Sequence, residues 1–299
     1  MYPLAIPDFT KELVGSIGSK QIDLNNSSTY KAIISQIAEE NISYPQSYFL
    51  GFWWQEDTQR ANHWFTKVQL TWHTELSDFQ DIHRWIKYFL NKEEIDLSFQ
   101  NGFMGFLLWL SRENQKNQDA VVDDFIEKSI GLLLSKKMKI NTNWHQFSFF
   151  PEAFDDDTWT CNNILTWEVG DLHFVKLLYR RAKGNFNSYY YEIAENIGLQ
   201  STTRVREEQT QIIDSSLAKG SMGLAMLYKV LYHETGHQTY LKSSCHWLEK
   251  TETFLESELQ NGYYTGRETH IFDGLAGIYI VKQELQKEEL SPFLTYLAG

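Results

Sequence analysis

A short motif recurs along the sequence and limits the possible folds more strongly than any other feature. It consists of Gly-x-x-Gly followed by an apolar run, and its copies begin at Gly102, Gly220 and Gly274. A partial copy begins at Gly170, where His173 stands in place of the second glycine. Successive copies begin 68, 50 and 54 residues apart, which leaves room for two helices and their loops in each interval.

Two glycines three residues apart lie on the same face of a helix and remove the side chains there, so that another stretch of backbone can come close. Because glycine inside a helix costs about 1 kcal/mol relative to alanine, its repeated use indicates close packing. Four similar helix pairs cannot each bury an apolar face alone, so we expect them to stack or to close into a ring. A doubtful further copy begins at Gly51.

The rest of the chain favours helices over strands. Its five prolines, at positions 3, 7, 45, 151 and 292, leave the long central and C-terminal regions free to be helical. Residues 124–136 and 239–255 show the apolar spacing of helices. Their apolar positions are Phe125, Ile130, Leu132 and Leu133, and then Tyr240, Leu241, Trp247, Leu248, Phe254 and Leu255. The sequence therefore predicts an all-α protein.

Charge and composition argue against several classes of protein. The chain has 39 acidic and 27 basic residues and a net charge of −12. Its densest basic runs, residues 136–139 and 180–183, are short, so we expect no nucleic-acid partner. No stretch approaches the ~18 apolar residues of a membrane helix, and no basic region precedes the few apolar residues at the start of the sequence. With two cysteines and no disulfide scaffold, a cytoplasmic protein without a membrane partner is expected.

Aromatic residues are abundant, with 10 Trp, 16 Tyr and 19 Phe. In a large helical protein we expect most of them to fill the core. The alternative is an aromatic-lined cleft for a peptide or a sugar, since aromatic side chains are enriched at recognition surfaces.

The repeated motif resembles that of the LanC-type lanthionine cyclases, whose fold is a toroid of inner and outer helices with Gly-x-x-Gly at the inner-helix starts. The resemblance runs from about Phe99 to the end of the sequence and is weaker over residues 1–95. Residues 232–241 resemble the family's Thr-Gly loop between an inner and an outer helix, and residues 273–277 resemble its last repeat. The resemblance implies a single (α/α) toroid domain over residues 1–299.

The reaction motifs of that family are present with altered residues. Its members hold a zinc ion with two cysteines and a histidine, from a Trp-Cys-x-Gly motif and a Cys-His-Gly-x-x-Gly motif. The metal makes a thiolate available at neutral pH, and the thiolate closes a thioether ring on a dehydrated residue. The matching segments here read Trp167-Glu168-Val169-Gly170 and Ala218-Lys219-Gly220-Ser221-Met222-Gly223.

The resemblance thus places Glu168, Ala218 and Lys219 where the family has zinc ligands, and Asn101 where it has a histidine for acid–base work. Alanine and lysine do not hold zinc, and one carboxylate falls short of the usual three protein ligands. We therefore expect no zinc at this locus and no other cofactor. A buried ion pair between Glu168 and Lys219 is expected to take the place of the metal.

The same resemblance implies a central cleft. The residues expected to line it are Asn101, Trp167, Glu168, Lys219 and Asp273. The candidate catalytic groups are Glu168, Lys219, Asp171 and His173, although a structural histidine is the simpler expectation for His173.

Three other patterns are candidates for metal binding. His233-Glu234-Thr235-Gly236-His237 matches the HExxH signature of zinc peptidases, but Gly236 favours a helix end within it. Cys245-His246 and Cys161 offer a zinc triad, although core packing of Cys245 and a surface position for His246 are the simpler expectation. The run Asp155-Asp156-Asp157 offers a cation site, although a solvated loop is the simpler expectation.

These features predict a zinc-free LanC-like protein that no longer cyclises. It would bind a precursor peptide, or a peptide-modifying enzyme, in the biosynthesis of a ribosomally made, lanthipeptide-like product. One alternative is a metal-independent enzyme that uses Glu168 and Lys219, whose pKa values a dry site would shift toward acid–base work. The others are a sugar-processing helical barrel, which needs two carboxylates across a cleft, and a zinc peptidase that uses His233, Glu234 and His237.

Overall fold

The computed structural model describes residues 58–100, 102–155, 158–161, 163–267 and 270–299. Several predicted features lie outside these ranges, namely the doubtful motif copy at Gly51, the cleft residue Asn101, and Asp156 and Asp157 of the aspartate run.

Helices form most of the described chain, which confirms the predicted all-α class. In chain order they are α1 (Thr58–Thr71), α2 (Phe79–Leu90), α3 (Phe103–Asn117), α4 (Ala120–Ser135), α5 (Asp171–Asn185), α6 (Ser188–Ser201), α7 (Glu207–Thr210), α8 (Ser221–Thr235), α9 (Gln238–Gln260), α10 (Leu275–Leu285) and α11 (Pro292–Leu297). The two segments with helical spacing lie in α4 and α9, as predicted. Within the described ranges, no helix is both long enough and apolar enough to cross a membrane.

Burial divides the helices of the four repeats into an inner and an outer layer. Every residue in 103–111, 171–179 and 221–228 is buried, which is typical of helices enclosed by other elements. The helices that follow them, α4, α6 and α9, bury one face. The inner helices α3, α5 and α8 each pack against the outer helix that follows, and the inner helices α3, α5, α8 and α10 contact one another in chain order. The architecture is an all-α toroid.

The two glycines of each motif have different roles. The first glycine is the N-cap of an inner helix, at Gly102, Gly170, Gly220 and Gly274. The second glycine lies in the first turn, where a Cβ on Gly223 would overlap the carbonyl oxygen of Leu217, six residues earlier. The same overlap with the residue six positions earlier occurs at Gly105 and Gly277. The predicted close approach is confirmed, and the partner is the loop that leads into the same helix.

The structure also contains a small sheet, which the sequence did not predict. One of its strands lies between α2 and α3 in sequence, and the other two lie between α4 and α5. Its antiparallel strands are β1 (Ile95–Asp96), β2 (Ala153–Phe154) and β3 (Trp159–Thr160), in the order β1-β2-β3. Strands of two residues are too short to show an alternating pattern. The sheet is nevertheless relevant to function, because it brings Asp96 close to Glu152 and Thr160, which belong to a segment far away in sequence.

Candidate functional site

Backbone hydrogen bonds link the segments that precede the four inner helices. The amide of Phe99 donates to the carbonyl of Glu168 at 2.7 Å, and the amide of Glu168 donates to the carbonyl of Ala218 at 3.0 Å. The amide of Ala218 in turn donates to the carbonyl of Phe272 at 2.8 Å. The four repeats are thereby joined in chain order at one end of the toroid. Lys219 follows Ala218 directly, so this arrangement brings Lys219 beside Glu168.

An open cleft of about 630 Å³ lies beside these linked segments. Among the residues that the structure describes, five carboxylates and one ammonium group line it, from Glu94, Asp96, Glu152, Glu168, Asp214 and Lys219. Its lining within the described ranges includes no Phe, Tyr or Trp, so the alternative of an aromatic-lined cleft is wrong for this cleft. Many aromatic side chains instead fill the core, as expected, with Trp109, Phe106 and Phe125 among the fully buried ones.

Glu168 and Lys219 form the predicted ion pair, with 3.5 Å between Lys219 Nζ and Glu168 Oε2. The expectation that both charges are buried is wrong for the lysine, whose side chain is 73% exposed, against 20% for the glutamate. Burial raises the pKa of the Glu168 carboxyl, the Lys219 ammonium opposes that rise, and the carboxylates of Asp96 and Glu152 add to it. The pair therefore consists of a partly desolvated carboxylate and a solvated ammonium group.

Two of the cleft carboxylates come from a repeated turn. Asp96 and Asp214 each lie six residues before the first glycine of a motif copy. Each carboxylate accepts a hydrogen bond from the amide two residues later, that of Ser98 (2.7 Å) or Ser216 (2.8 Å), as in an Asx-turn. Neither residue was predicted to line the cleft, although Asp-x-Ser at a fixed distance from Gly-x-x-Gly is a signal visible in the sequence.

Asp171, a predicted catalytic candidate, is a structural residue. It is 1% exposed, and its carboxylate accepts hydrogen bonds from the amides of Phe149 and Phe150. Its Oδ2 lies 3.0 Å from Nη1 of Arg204, whose side chain is 5% exposed. It does not line the cleft. A carboxylate satisfied in this way ties α5 to the loop before β2 and has no access to a ligand.

His173, the other candidate on α5, is also buried away from the cleft. Its Nε2 bonds to the carbonyl of Trp167, and its ring stacks on Phe99 with 4.2 Å between the centroids. Burial lowers the pKa of His173 to about 3, so the ring is neutral at neutral pH. The carbonyl that His173 binds lies six residues earlier in the chain. In the other motif copies, the second glycine packs against the carbonyl at this same distance in sequence. The structural explanation of His173 is therefore the better one.

Two residues predicted to line the cleft lie elsewhere. Trp167 is fully buried, donates from Nε1 to the carbonyl of Leu297 at 2.6 Å, and stacks on Phe272. Asp273 contacts His270 at 2.9 Å and Arg267 at 3.8 Å, away from the cleft lining. Of the predicted cleft residues within the described ranges, Glu168 and Lys219 line this cleft.

The HExxH match does not form a metal-binding helix. α8 ends at Thr235, and Gly236 adopts the left-handed conformation (φ 78°) that closes it, as its sequence predicts. His237 is the N-cap of α9 and lies 2.8 Å from the Glu195 carboxylate. The two histidines of the signature therefore belong to different helices, and the continuous helix that a zinc peptidase requires is missing at this point.

The remaining motifs show no clustering. Cys161 and Cys245 are both free thiols on the surface, so the expected core position of Cys245 is wrong, and His246 is half-buried rather than on the surface. Asp155 forms an ion pair with Lys87 at 2.5 Å.

The residues at the family's zinc-ligand positions do not fit a zinc ion. The side chain of Ala218 has no donor atom, and the ammonium of Lys219 repels a cation. Glu168 alone falls short of three protein ligands. Within the parts of the chain that the structure describes, no three His, Cys, Asp or Glu side chains lie close enough together to hold a metal ion.

Comparison with known proteins gives a likeness of fold. No protein-family model matches the sequence, and no curated protein matches it significantly. Among solved structures, the chain is similar to nisin cyclase, with a TM-score of 0.60 over 97% of this chain and 71% of that chain. The sequence identity is 13%, so the likeness establishes a LanC-like fold.

Proposed function

We propose that this LanC-like protein binds a peptide, or a peptide-modifying enzyme, in the cleft beside Glu168 and does not close thioether rings through zinc. The peptide would belong to the biosynthesis of a ribosomally made, lanthipeptide-like product. The observation that carries the proposal is the position of the cleft. It opens at the starts of the inner helices, where the resemblance places the family's reaction site, and the residues at the three ligand positions there are unsuited to zinc.

The shape of the cleft supports a peptide ligand. A volume of about 630 Å³ lies within the usual range of ligand sites and accommodates a few residues of an extended chain. Its walls come from backbone segments fixed by the series of backbone hydrogen bonds described above and by the small sheet, so the site is formed before a ligand arrives. Preorganisation of this kind lowers the cost of binding.

The test is a selection of peptides from a pooled random library by the purified full chain, with the cleft blocked in one variant. Thr160 lines the cleft and is exposed on β3, so Thr160→Trp adds a bulky ring there without disturbing the core. We expect the wild-type chain to enrich a set of peptides. Thr160→Trp should weaken the binding of these peptides at least tenfold, about 1.4 kcal/mol.

The matched control is Thr158→Trp, which places the same side chain on the same hairpin at an exposed residue outside the cleft lining. Its affinity for the selected peptides should stay within about twofold of wild type. Equal loss in both variants, or no enrichment by the wild-type chain, would contradict the proposal.

A further inference from the structure

Negative charge dominates the cleft. Within the described part of the chain, its lining carries five carboxylates and one ammonium, that of Lys219. Close by, Lys92 approaches Asp96 with 3.6 Å between Nζ and Oδ2, and Asp214 accepts hydrogen bonds from uncharged groups, the Ser216 amide and the Tyr263 hydroxyl. A concave site lined mainly by one sign of charge focuses the potential and favours a ligand of the opposite sign.

Within this cleft Glu168 is fixed and Lys219 is loosely held. The amide and the carbonyl of Glu168 both belong to the series of backbone hydrogen bonds that joins the four repeats, which holds the backbone of Glu168 in place. The Lys219 side chain is 73% exposed, and its 3.5 Å approach to Glu168 is longer than a charge-assisted hydrogen bond of about 2.8 Å. Exposed pairs of this kind contribute little to stability, so Lys219 leaves the carboxylate easily.

We infer that the peptide bound in this cleft carries a lysine or arginine side chain, which displaces Lys219 and pairs with Glu168. The inference rests on the proposed function, since it concerns the occupant of the same cleft. Lys219 then acts as an internal competitor, which neutralises Glu168 while the cleft is empty. Ile213 also lines the cleft and is 65% exposed, so it offers an apolar surface to the stem of a long basic side chain.

This arrangement gives substitutions at the two members of the pair effects of opposite sign. Removing the Lys219 ammonium leaves Glu168 without its competitor and increases the affinity for a basic peptide. Removing the Glu168 charge takes away the acceptor and decreases that affinity. If Lys219 instead bound an acidic group of the ligand, its removal would weaken binding.

The experiment uses the full chain and a pooled library of random peptides of about a dozen residues. The most enriched peptide is then synthesised in two forms, one with its basic residues intact and one with each of them replaced by glutamine. The dissociation constant of each form is measured for each protein variant. The variants are Lys219→Met, Glu168→Gln and, as a control, Lys116→Met. Lys116 is an exposed lysine at the far end of α3, paired with Glu113 at 2.9 Å.

We expect lysine and arginine to be enriched above their library frequency. The affinity for the basic peptide should increase about fivefold in Lys219→Met and decrease about tenfold in Glu168→Gln. In Lys116→Met it should change less than about twofold. Enrichment without a basic bias, or weaker binding by Lys219→Met, would overturn the inference and leave the proposed peptide binding intact. A chain that enriches no peptide would remove the proposed function and this inference with it.

Discussion

Replacing Asp171 with asparagine is expected to lower the free energy of unfolding by about 3 kcal/mol, because it leaves the guanidinium of Arg204 buried without its counter-ion. The two side chains are 1% and 5% exposed, and 3.0 Å separates their charged atoms. Asparagine keeps a carbonyl oxygen for the amides of Phe149 and Phe150, but its NH2 group replaces the Oδ2 that accepts from Arg204, so the change removes both the charge and that acceptor. Urea denaturation followed by circular dichroism measures the loss.

A surface ion pair provides the control for this substitution. Arg206 and Glu208 lie 3.2 Å apart with side chains 69% and 51% exposed, and Glu208→Gln should change the free energy of unfolding by less than about 1 kcal/mol. A similar small effect for Asp171→Asn would show that the buried pair does not hold α5 in place.

The second large effect is expected at the second glycine of a motif. Gly223→Ala should lower the free energy of unfolding by about 2 kcal/mol or more, because its methyl group overlaps the carbonyl of Leu217 and lies 2.6 Å from Cβ of Trp167. Both contacts belong to backbone or near-backbone atoms, so neither moves aside easily. Alanine's better helix propensity, about 1 kcal/mol, offsets part of this cost.

The matched control for Gly223 is Gly184, near the end of α5. A methyl group there meets nothing within 4 Å, so Gly184→Ala should raise the free energy of unfolding by up to about 1 kcal/mol. If both alanine variants were stabilised alike in the same urea titration, the close approach at the inner-helix start would be refuted.

The fold was predictable because its signal is repeated and local. Gly102, Gly220 and Gly274 mark helix starts in sequence as they do in the structure, and apolar spacing marked α4 and α9. The ion pair of Glu168 and Lys219 was predictable because the resemblance places both residues at ligand positions of the same zinc site. A register shared by several repeats determines which residues lie side by side, even when they are far apart in sequence.

The features of the site that could not be predicted from the sequence depend on the direction in which a side chain points. Asp171 and His173 stand one and three residues after Gly170, near the cleft in sequence, yet both turn into the core. Trp167 precedes a cleft residue and is itself fully buried. Conversely, Glu152 reaches the cleft through pairing of the two-residue strands, a long-range contact without a sequence pattern. Among the cleft carboxylates that were not predicted, Asp96 and Asp214 carry a sequence signal, the repeated Asp-x-Ser turn.

The most direct test of the account is the zinc content of two purified proteins, measured by inductively coupled plasma mass spectrometry. One is the wild-type chain, and the other carries Glu168→Cys, Ala218→Cys and Lys219→His, which restore the family's three ligand types at the positions the resemblance assigns. We expect no stoichiometric zinc in the wild-type chain and about one zinc per chain in the triple variant, since three such ligands suffice for a zinc site with one open position. Stoichiometric zinc in the wild-type chain, or a folded triple variant without zinc, would contradict the claim that Glu168, Ala218 and Lys219 occupy the place of the metal.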